Sequence, residues 1–241
     1  YFLGTTEDSI VHHMQMLSAM GEAPFVCEVT HTPDREFSDV TVIARDFPGL
    51  FVTLTAVVRA HGLSIVGANI NTSRSNIAID IFRIPHNGIP GIATDVDRWN
   101  RVRESLQGAL SGELSIQDLL VKQRNAIMRD NKRRPWGKTQ VDIDNDVAER
   151  FTVIDVYARD RIGLLYHLAN TIFQLGYTVH LARITTHMDQ VLDVFYVTDS
   201  AQQKIEDAGT LAQLQDALGA CIREESQEAV SYTHLTLPTN G

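Results

Sequence analysis

The heptapeptide Ala44-Arg45-Asp46-Phe47-Pro48-Gly49-Leu50 decides the fold of this chain, because a second version of it occurs 114 residues later as Ala158-Arg159-Asp160-Arg161-Ile162-Gly163-Leu164. Each version follows an apolar run that is typical of a strand, and each precedes apolar residues at helical spacing. The sequence therefore predicts two strand-to-helix bends. Residues 46–50 are termed the first bend and residues 160–164 the second bend.

Both bends carry residue types that suit the N-terminus of a helix. Asp46 and Asp160 are predicted to cap the two helices, and Pro48 suits a first helical turn, where its missing N–H is not needed. Gly49 and Gly163 leave backbone N–H groups uncovered at a helix N-terminus, which attracts anions. One such bend is usually only a structural feature, but two in one chain favour a ligand-binding function.

The composition is that of a globular chain with room for two small domains. Its 241 residues are 44% hydrophobic and 21% charged, and the formal charge of −9 argues against general affinity for nucleic acid. Cys27 and Cys221 are the only cysteines and fit no metal-binding spacing, so we expect a reducing compartment, the cytoplasm. No apolar run approaches the roughly 18 residues of a membrane span. Because the first residue is Tyr1, we expect the chain to be part of a longer protein.

The order strand, strand, helix, strand, strand, helix is predicted twice. In the first copy the strands are 25–30, 38–45, 63–71 and 77–82, and the last helix begins near Asp95. The second copy follows at the same displacement, less one residue in a hairpin turn, and closes with a helix predicted over 201–223. This pattern predicts an α+β fold of two ferredoxin-like units. Each unit has an antiparallel sheet with helices on one face, and we expect the other unit or a partner to cover the second face.

The pattern divides the chain into five segments. We predict a connector helix at 1–24, a first unit at 25–110, a basic helical linker at 111–138, a second unit at 139–225 and a non-native tail at 226–241. The linker carries a positive run between Lys122 and Lys138. Without interleaved aromatic residues, a solvated helix face is favoured over a nucleic-acid site.

The bends carry a resemblance to a known family. The repeated Asp-x-(Pro/Ile)-Gly-Leu turn in this order of elements resembles the ACT domain, a ferredoxin-like module that binds amino acids. The pair of units, with Asp144-Asn145-Asp146 and Phe151-Thr152-Val153-Ile154 ahead of the second bend, is similar to the C-terminal tandem ACT region of bacterial bifunctional [protein-PII] uridylyltransferase/uridylyl-removing enzymes. The resemblance covers roughly residues 1 to 225. The family usually has Asp-Arg-Pro-Gly, whereas here Phe47 replaces the arginine and Ile162 replaces the proline.

The resemblance implies a regulatory function in nitrogen signalling. Such enzymes are expected to sense glutamine through the ACT pair and so to choose between attaching UMP to the PII protein and hydrolysing it off. Those reactions belong to upstream nucleotidyltransferase and HD phosphohydrolase domains, where Mg²⁺ is expected. This chain has no Gly-Ser pair followed by spaced aspartates and no His-Asp dipeptide. We therefore predict no catalytic residue, metal or cofactor in it, and upstream domains and PII as its partners.

The predicted site consists of the bends and of polar residues on the strand that follows each helix. Backbone N–H groups would bind the α-carboxylate of glutamine, and Asp46 or Asp160 would bind its ammonium group. Asn69 and Asn71, or Arg183 and Thr185, would bind its side-chain amide, unless they only line a solvated strand face. The full predicted set is Asp46, Phe47, Pro48, Gly49, Leu50, Asn69, Asn71, Asp160, Arg161, Ile162, Gly163, Leu164, Arg183 and Thr185.

Three other functions compete with glutamine sensing. An ACT pair without a ligand would mediate contacts between domains or between two chains through its sheet edges. A nucleic-acid binder would use residues 122–138. An enzyme would need a nucleophile–base pair or a ligand cluster, and the sequence offers none. The sequence does not decide which bend binds, which amino acid is preferred or whether two chains associate.

Overall fold

The computed structural model describes residues 6–32, 36–73, 75–86, 95–127, 139–187 and 190–231. They form six helices and eight strands: α1 (Glu7–Met20), β1 (Phe25–Thr32), β2 (Phe37–Arg45), α2 (Leu50–Ala60), β3 (Gly67–Thr72), β4 (Ile77–Pro85), α3 (Val96–Leu110), α4 (Ile116–Ile127), β5 (Gln140–Asp144), β6 (Thr152–Arg159), α5 (Leu164–Gln174), β7 (Thr178–His187), β8 (Gln190–Thr198) and α6 (Ala208–Ser231).

All eight strands belong to one antiparallel sheet with the order β1-β2-β4-β3-β7-β8-β6-β5. In the first unit, helix α2 joins β2 to β3, and β4 pairs between these two strands. The second unit repeats this split βαβ arrangement with β6, α5, β7 and β8. The predicted α+β fold with two ferredoxin-like arrangements is therefore confirmed.

The two units join edge to edge through β3 and β7. Ala68 lies opposite Ile184 and Ile70 lies opposite Ala182, so the joint has a buried apolar side. The second face of each unit was expected to be covered by the other unit or by a partner; the other unit does not cover it, and cover by a partner stays a prediction. The unpaired backbone groups of two edge strands explain the difference, because they are satisfied when the strands pair with each other.

The helices after α1 pack on one face of the sheet, and α1 packs on the other. Val40, Val42 and Ala44 of β2 contact the main core, whereas Ile43 forms a second cluster with Met16 and Met20 of α1. This alternation follows from the two-residue period of a strand. The corresponding face of the second unit has no such helix among the described residues, and Tyr157 and Leu192 are 42% and 37% exposed there.

Each bend is a tight turn with glycine at its critical position. Gly49 has φ 93° and ψ 2°, and Leu50 N–H donates to Phe47 C=O at 3.0 Å, as in a type II turn with Gly at its third position. Gly163 has nearly the same conformation, with φ 89° and ψ −3°. Only glycine adopts these angles without strain, so the turn explains why both bends contain it.

The predicted aspartate caps are wrong. The N-cap residues are Gly49 and Gly163, and neither helix has a side-chain cap hydrogen bond. Asp46 and Asp160 lie three positions ahead of these glycines, too far from the second and third helical residues for a cap. Pro48 likewise belongs to the turn and not to the first helical turn.

The closing helix of the second unit is predicted to begin at residue 201, which is too early. Helix α6 begins at Ala208, and the Asp207 carboxylate accepts from Thr210 N–H at 2.7 Å, which is the cap that sets this start. Ile205 remains outside the helix, where its N–H donates to Thr152 Oγ1 at 3.0 Å. The helix continues to Ser231, beyond the predicted start of the tail at 226.

The predicted linker helix begins at Ile116 and not at residue 111. Helix α4 is separated from α3 by a turn over residues 111–115, and it packs against α2. Gly112, with φ 77°, lies in this turn. The basic side chains from Lys122 to Lys138 and residues 232–241 lie outside the described part of the chain, as do the turns at 33–35 and 188–189.

Candidate functional site

Both bends lie where the two units meet. The first bend faces Phe173 near the end of α5, and the second bend faces Arg59 near the end of α2. Arg59 and Phe173 are equivalent positions, because they are 114 residues apart. The space next to each bend, termed the first cleft and the second cleft, is therefore walled by both units.

The helix at each bend keeps backbone donors that no side chain caps. In α2 the first-turn N–H groups of Phe51 and Val52 have no intrahelical acceptor, because acceptors four residues earlier lie outside the helix. Leu165 and Tyr166 occupy the same positions in α5. Aligned donors and the helix dipole make such an end a site for an anionic group.

A buried aspartate stands beside each bend. Asp80 of β4 lines the first cleft and Asp193 of β8 lines the second, and each residue is only 1% exposed. The Oδ1 atom of each has no hydrogen-bond partner among the described residues. A buried carboxyl oxygen without a partner is unfavourable in the empty protein, so it marks a place where a donor group from a ligand would be stabilised.

Burial controls the ionisation of these carboxyl groups. It raises the pKa of Asp80 well above its usual value, the charge of Asp46 adds to this effect, and a backbone N–H of Asn71 opposes it. Burial likewise raises the pKa of Asp193, with a further contribution from Asp160. The pKa of Asp160 is raised by its own burial. Each cleft therefore holds two carboxyl groups, of which the buried one favours its neutral form.

Asp80 and Asp193 are not among the site residues predicted from the sequence. Each interrupts an apolar strand at the same place in both copies, within Ile79-Asp80-Ile81 and Leu192-Asp193-Val194. A charged residue at a core-facing position of a strand is rare unless it is paired or functional. An aspartate at the same place in two apolar strands is therefore the sequence signal that could have identified both residues.

The two clefts differ in size. The second cleft is a cavity of about 20 Å³, which leaves room for about one water molecule. The first cleft continues into an open groove of about 1150 Å³. Small-molecule sites typically occupy about 300–1,000 Å³, so only the first cleft has room for an amino acid in this structure.

The structure brings together most of the predicted site residues. All five residues of the first bend, Asp46 to Leu50, line the first cleft together with Asn71. Four residues of the second bend line the second cleft, the exception being Ile162.

Three predicted residues lie elsewhere. Asn69, Arg183 and Thr185 are exposed on the face of the sheet that points away from the helices, because their strand neighbours Ala68 and Ile184 are buried on the other face. The structure thus places none of these three beside a bend.

The second cleft contains positive charge supplied by the chain. The Arg59 guanidinium lies 5.1 Å from the centre of the Tyr166 ring, and Arg161 Nη1 donates to Ile222 C=O at 3.1 Å. Burial, and then the charges of both arginines, lowers the pKa of His167 to about 3. The positions equivalent to Arg59 and Arg161 in the first cleft are Phe173 and Phe47.

The described residues contain neither a metal-ligand cluster nor a membrane-spanning helix. Within the described ranges, no three His, Cys, Asp or Glu side chains are placed to hold a metal ion together. None of the helices described above combines the length and apolar character needed to cross a membrane.

The comparisons with known proteins agree with the resemblance in the sequence. No protein-family model matches the chain. The bifunctional uridylyltransferase/uridylyl-removing enzyme of Gluconobacter oxydans is 31% identical over 224 residues, which are 92% of this chain and 24% of that enzyme. The enzyme of the same name from Rhodospirillum rubrum is 31% identical over 91% of this chain and 24% of its own length. The enzyme of the same name from Novosphingobium aromaticivorans is 32% identical over 86% of this chain and 22% of its own length.

A solved structure, the aspartate kinase from Synechocystis, aligns with 78% of this chain and 27% of its own, with a TM-score of 0.44 and 13% identity. That likeness is too weak to support an argument.

The chain spans about a quarter of the length of the curated relatives that it matches. Over about nine tenths of its length, the chain therefore corresponds to a region of the bifunctional uridylyltransferase/uridylyl-removing enzymes, as its sequence predicted.

Proposed function

We propose that this chain is the regulatory, glutamine-sensing region of a bifunctional uridylyltransferase/uridylyl-removing enzyme, and that the first cleft binds the amino acid. One observation carries the proposal. An uncapped helix N-terminus and a buried aspartate with a partnerless Oδ1 line the same cleft, and this cleft has room for a ligand. An α-amino acid carries the two complementary groups, a carboxylate and an ammonium group.

The first cleft suits both ends of glutamine. The α-carboxylate would accept from the N–H groups of Phe51 and Val52, where the helix dipole favours negative charge. The ammonium group would donate to Asp80 and Asp46 and so favour the ionised form of the buried carboxyl. Asn71, which borders the same groove from the sheet face that it shares with Asn69, would bind the side-chain amide of glutamine.

Binding at this position would act on the arrangement of the two units. Asp46 of the first unit lies near enough to His180 of the second that its charge opposes the lowering of the His180 pKa by burial. A ligand in the cleft would contact both units and would stabilise the arrangement that fits it. This becomes allosteric control if the two states of the enzyme differ in their affinity for glutamine.

The chemistry would belong to the rest of the enzyme. Attachment of UMP to PII and its hydrolytic removal, with the Mg²⁺ they need, are proposed for the three quarters of the relatives' length that this chain does not span. The absence of a disulfide at Cys27 and Cys221, both in the described part of the chain, agrees with a cytoplasmic location.

Isothermal titration with glutamine and glutamate tests the binding. The wild-type chain should bind glutamine more tightly than glutamate. Gly49→Val should abolish binding, because the side chain would strain a backbone with φ 93° and contact the Phe173 ring. Gly62→Val is the matched control, because Gly62 also has positive φ but has nothing within 4 Å of the added Cβ. Equal heats for glutamine, glutamate and the Gly49→Val variant would disprove the proposal.

A structural pair without a ligand is the second candidate. The continuous pairing of β3 with β7 favours it, because this joint is complete without any small molecule. In that case no amino acid would raise the melting temperature of the chain. A rise with glutamine alone would decide for the sensor.

A further inference from the structure

The two clefts are built from equivalent elements but have different occupants. Arg59 and Phe173 are the second-last residues of α2 and α5, and each contacts the glycine in the bend of the other unit. A Cβ added to Gly163 would lie 2.5 Å from Arg59 Nε and 2.7 Å from Arg59 Cδ. A Cβ added to Gly49 would lie 3.3 Å from the nearest Phe173 atom. The Arg59 side chain therefore lies directly on the backbone of the second bend.

Arg59 also brings a cation into the second cleft. Its side chain lines the second cleft together with Asp160 and Asp193. The guanidinium lies over Tyr166, a first-turn residue of α5, and a cation over an aromatic face is attracted by the ring. The equivalent position in the first cleft is Val52, which offers no such contact.

We propose that the side chain of Arg59 permanently occupies the second cleft in place of a ligand. The chain then binds one amino acid, in the first cleft, and none in the second. The volumes of the two clefts agree with this assignment. The second cleft, beside Arg59, has about 20 Å³, whereas the first cleft, beside Phe173, continues into an open groove. The occupancy by Arg59 follows from the geometry, and only the count of one amino acid rests on the proposed function.

Chemical rescue tests the occupancy without glutamine. Arg59→Ala removes the guanidinium and two methylene groups, Cγ and Cδ, and ethylguanidinium replaces them. We expect ethylguanidinium to raise the Tm of Arg59→Ala saturably by about 2–4 °C. The wild type and the matched variant Phe173→Ala should show no saturable rise. The proposal is overturned if Arg59→Ala shows no rise, or if the wild type rises equally.

Two measurements on the wild-type chain do not depend on the stability of a variant. The Arg59 Nε–H is buried, so it should give a slowly exchanging ¹H–¹⁵N signal that saturating glutamine leaves unshifted. Displacement of Arg59 by glutamine would shift this signal and would refute permanent occupancy. Titration should give one glutamine per chain, and two equivalent sites would refute the proposal. A chain that binds no glutamine at all would disprove the proposed function, while the ethylguanidinium and NMR results would still decide the occupancy.

Discussion

Asn69 of β3 lies directly opposite Arg183 of β7, and these two residues occupy equivalent positions 114 residues apart in the chain. Because Gly67 then pairs with Thr185 and Asn71 pairs with Leu181, an approximate two-fold axis passes between the two residues. Each unit thus contributes the same strand to the joint. Both strands become interior strands of an eight-stranded sheet.

This pairing predicts slow amide exchange in strands that would be edges of isolated units. The N–H groups of β3 and β7 should exchange at least about tenfold more slowly than those of the outer strands β1 and β5, because they are bonded on both sides. Hydrogen–deuterium exchange with mass spectrometry measures this. Strands β4 and β8, which are interior in either case, serve as the slow reference. Exchange in β3 and β7 as fast as in β1 would contradict the joint.

The contact between Arg59 and Gly163 predicts a coupled pair of substitutions. Gly62→Ala should reduce the free energy of unfolding by about 1–2 kcal/mol, because only the positive φ opposes the new side chain. Gly163→Ala should cost about 1–3 kcal/mol more, because its Cβ also overlaps Arg59. In the Arg59→Ala background this excess should disappear, while the effect of Gly62→Ala should not change. Urea denaturation of the variants measures the coupling, and strict additivity would exclude the contact.

The sequence predicted the bends because they are local. A strand run, a glycine and a helical spacing appear together within a dozen residues, and they appear twice. The aspartate caps failed for a local reason too, because Gly49 and Gly163 place the helix starts three residues beyond Asp46 and Asp160. The caps were predicted from the residue type alone, because Asp is common at helix N-caps. The position at which each helix begins is determined instead by the tight turn.

The remaining errors concern contacts that are distant in the chain. Asn69 and Arg183 look like solvated residues of edge strands, and nothing nearby in sequence shows that they face each other. The contact of Arg59 with the second bend depends on the same joint, because the two residues belong to different units. Local patterns therefore predicted the units, whereas the clefts between them depend on how the units pair.

The hydrogen bond between Ile205 and Thr152 predicts a specific loss of stability. Both residues are buried, and Thr152 Oγ1 accepts from Ile205 N–H at 3.0 Å. Thr152→Val keeps the shape but leaves a buried N–H without an acceptor, so it should cost about 1–3 kcal/mol. Thr152→Ser retains the acceptor and should cost clearly less. Chemical denaturation compares the two, and equal losses would show that packing alone matters there.

The raised pKa of Asp193 predicts how stability depends on pH. The folded protein holds the Asp193 proton at pH values where the unfolded chain, with a pKa near 3.8, has lost it. The native state therefore binds more protons in this window, and the free energy of unfolding falls as pH rises from 3.8 through the folded pKa. Asp193→Asn cannot ionise, so its stability relative to the wild type should increase with pH over this window.

Asp207 supplies a control of opposite sign. Its side-chain bond with Thr210 lowers the Asp207 pKa, so its contribution is present above the unfolded pKa and is lost as pH falls through the folded pKa. Asp207→Asn should therefore lower the free energy of unfolding above the unfolded pKa, and this loss should disappear as pH falls through the folded pKa. Thermal or urea unfolding at a series of pH values measures the stability of both variants and of the wild type. A pH-independent difference between Asp193→Asn and wild type would contradict the buried neutral carboxyl.

Glutamine binding in the first cleft should release protons. Without a ligand, burial favours the neutral form of Asp80, because its pKa is raised well above the usual value. The ammonium group of the ligand stabilises the carboxylate and lowers this pKa, so binding and deprotonation are linked. Titrations at several pH values above 3.8, each in two buffers with different ionisation enthalpies, should give different apparent heats of binding wherever Asp80 is neutral before binding. Asp80→Asn has no proton to release, so in this variant any remaining heat should not depend on the buffer. A buffer-independent heat in the wild type would show that the ammonium group does not reach Asp80.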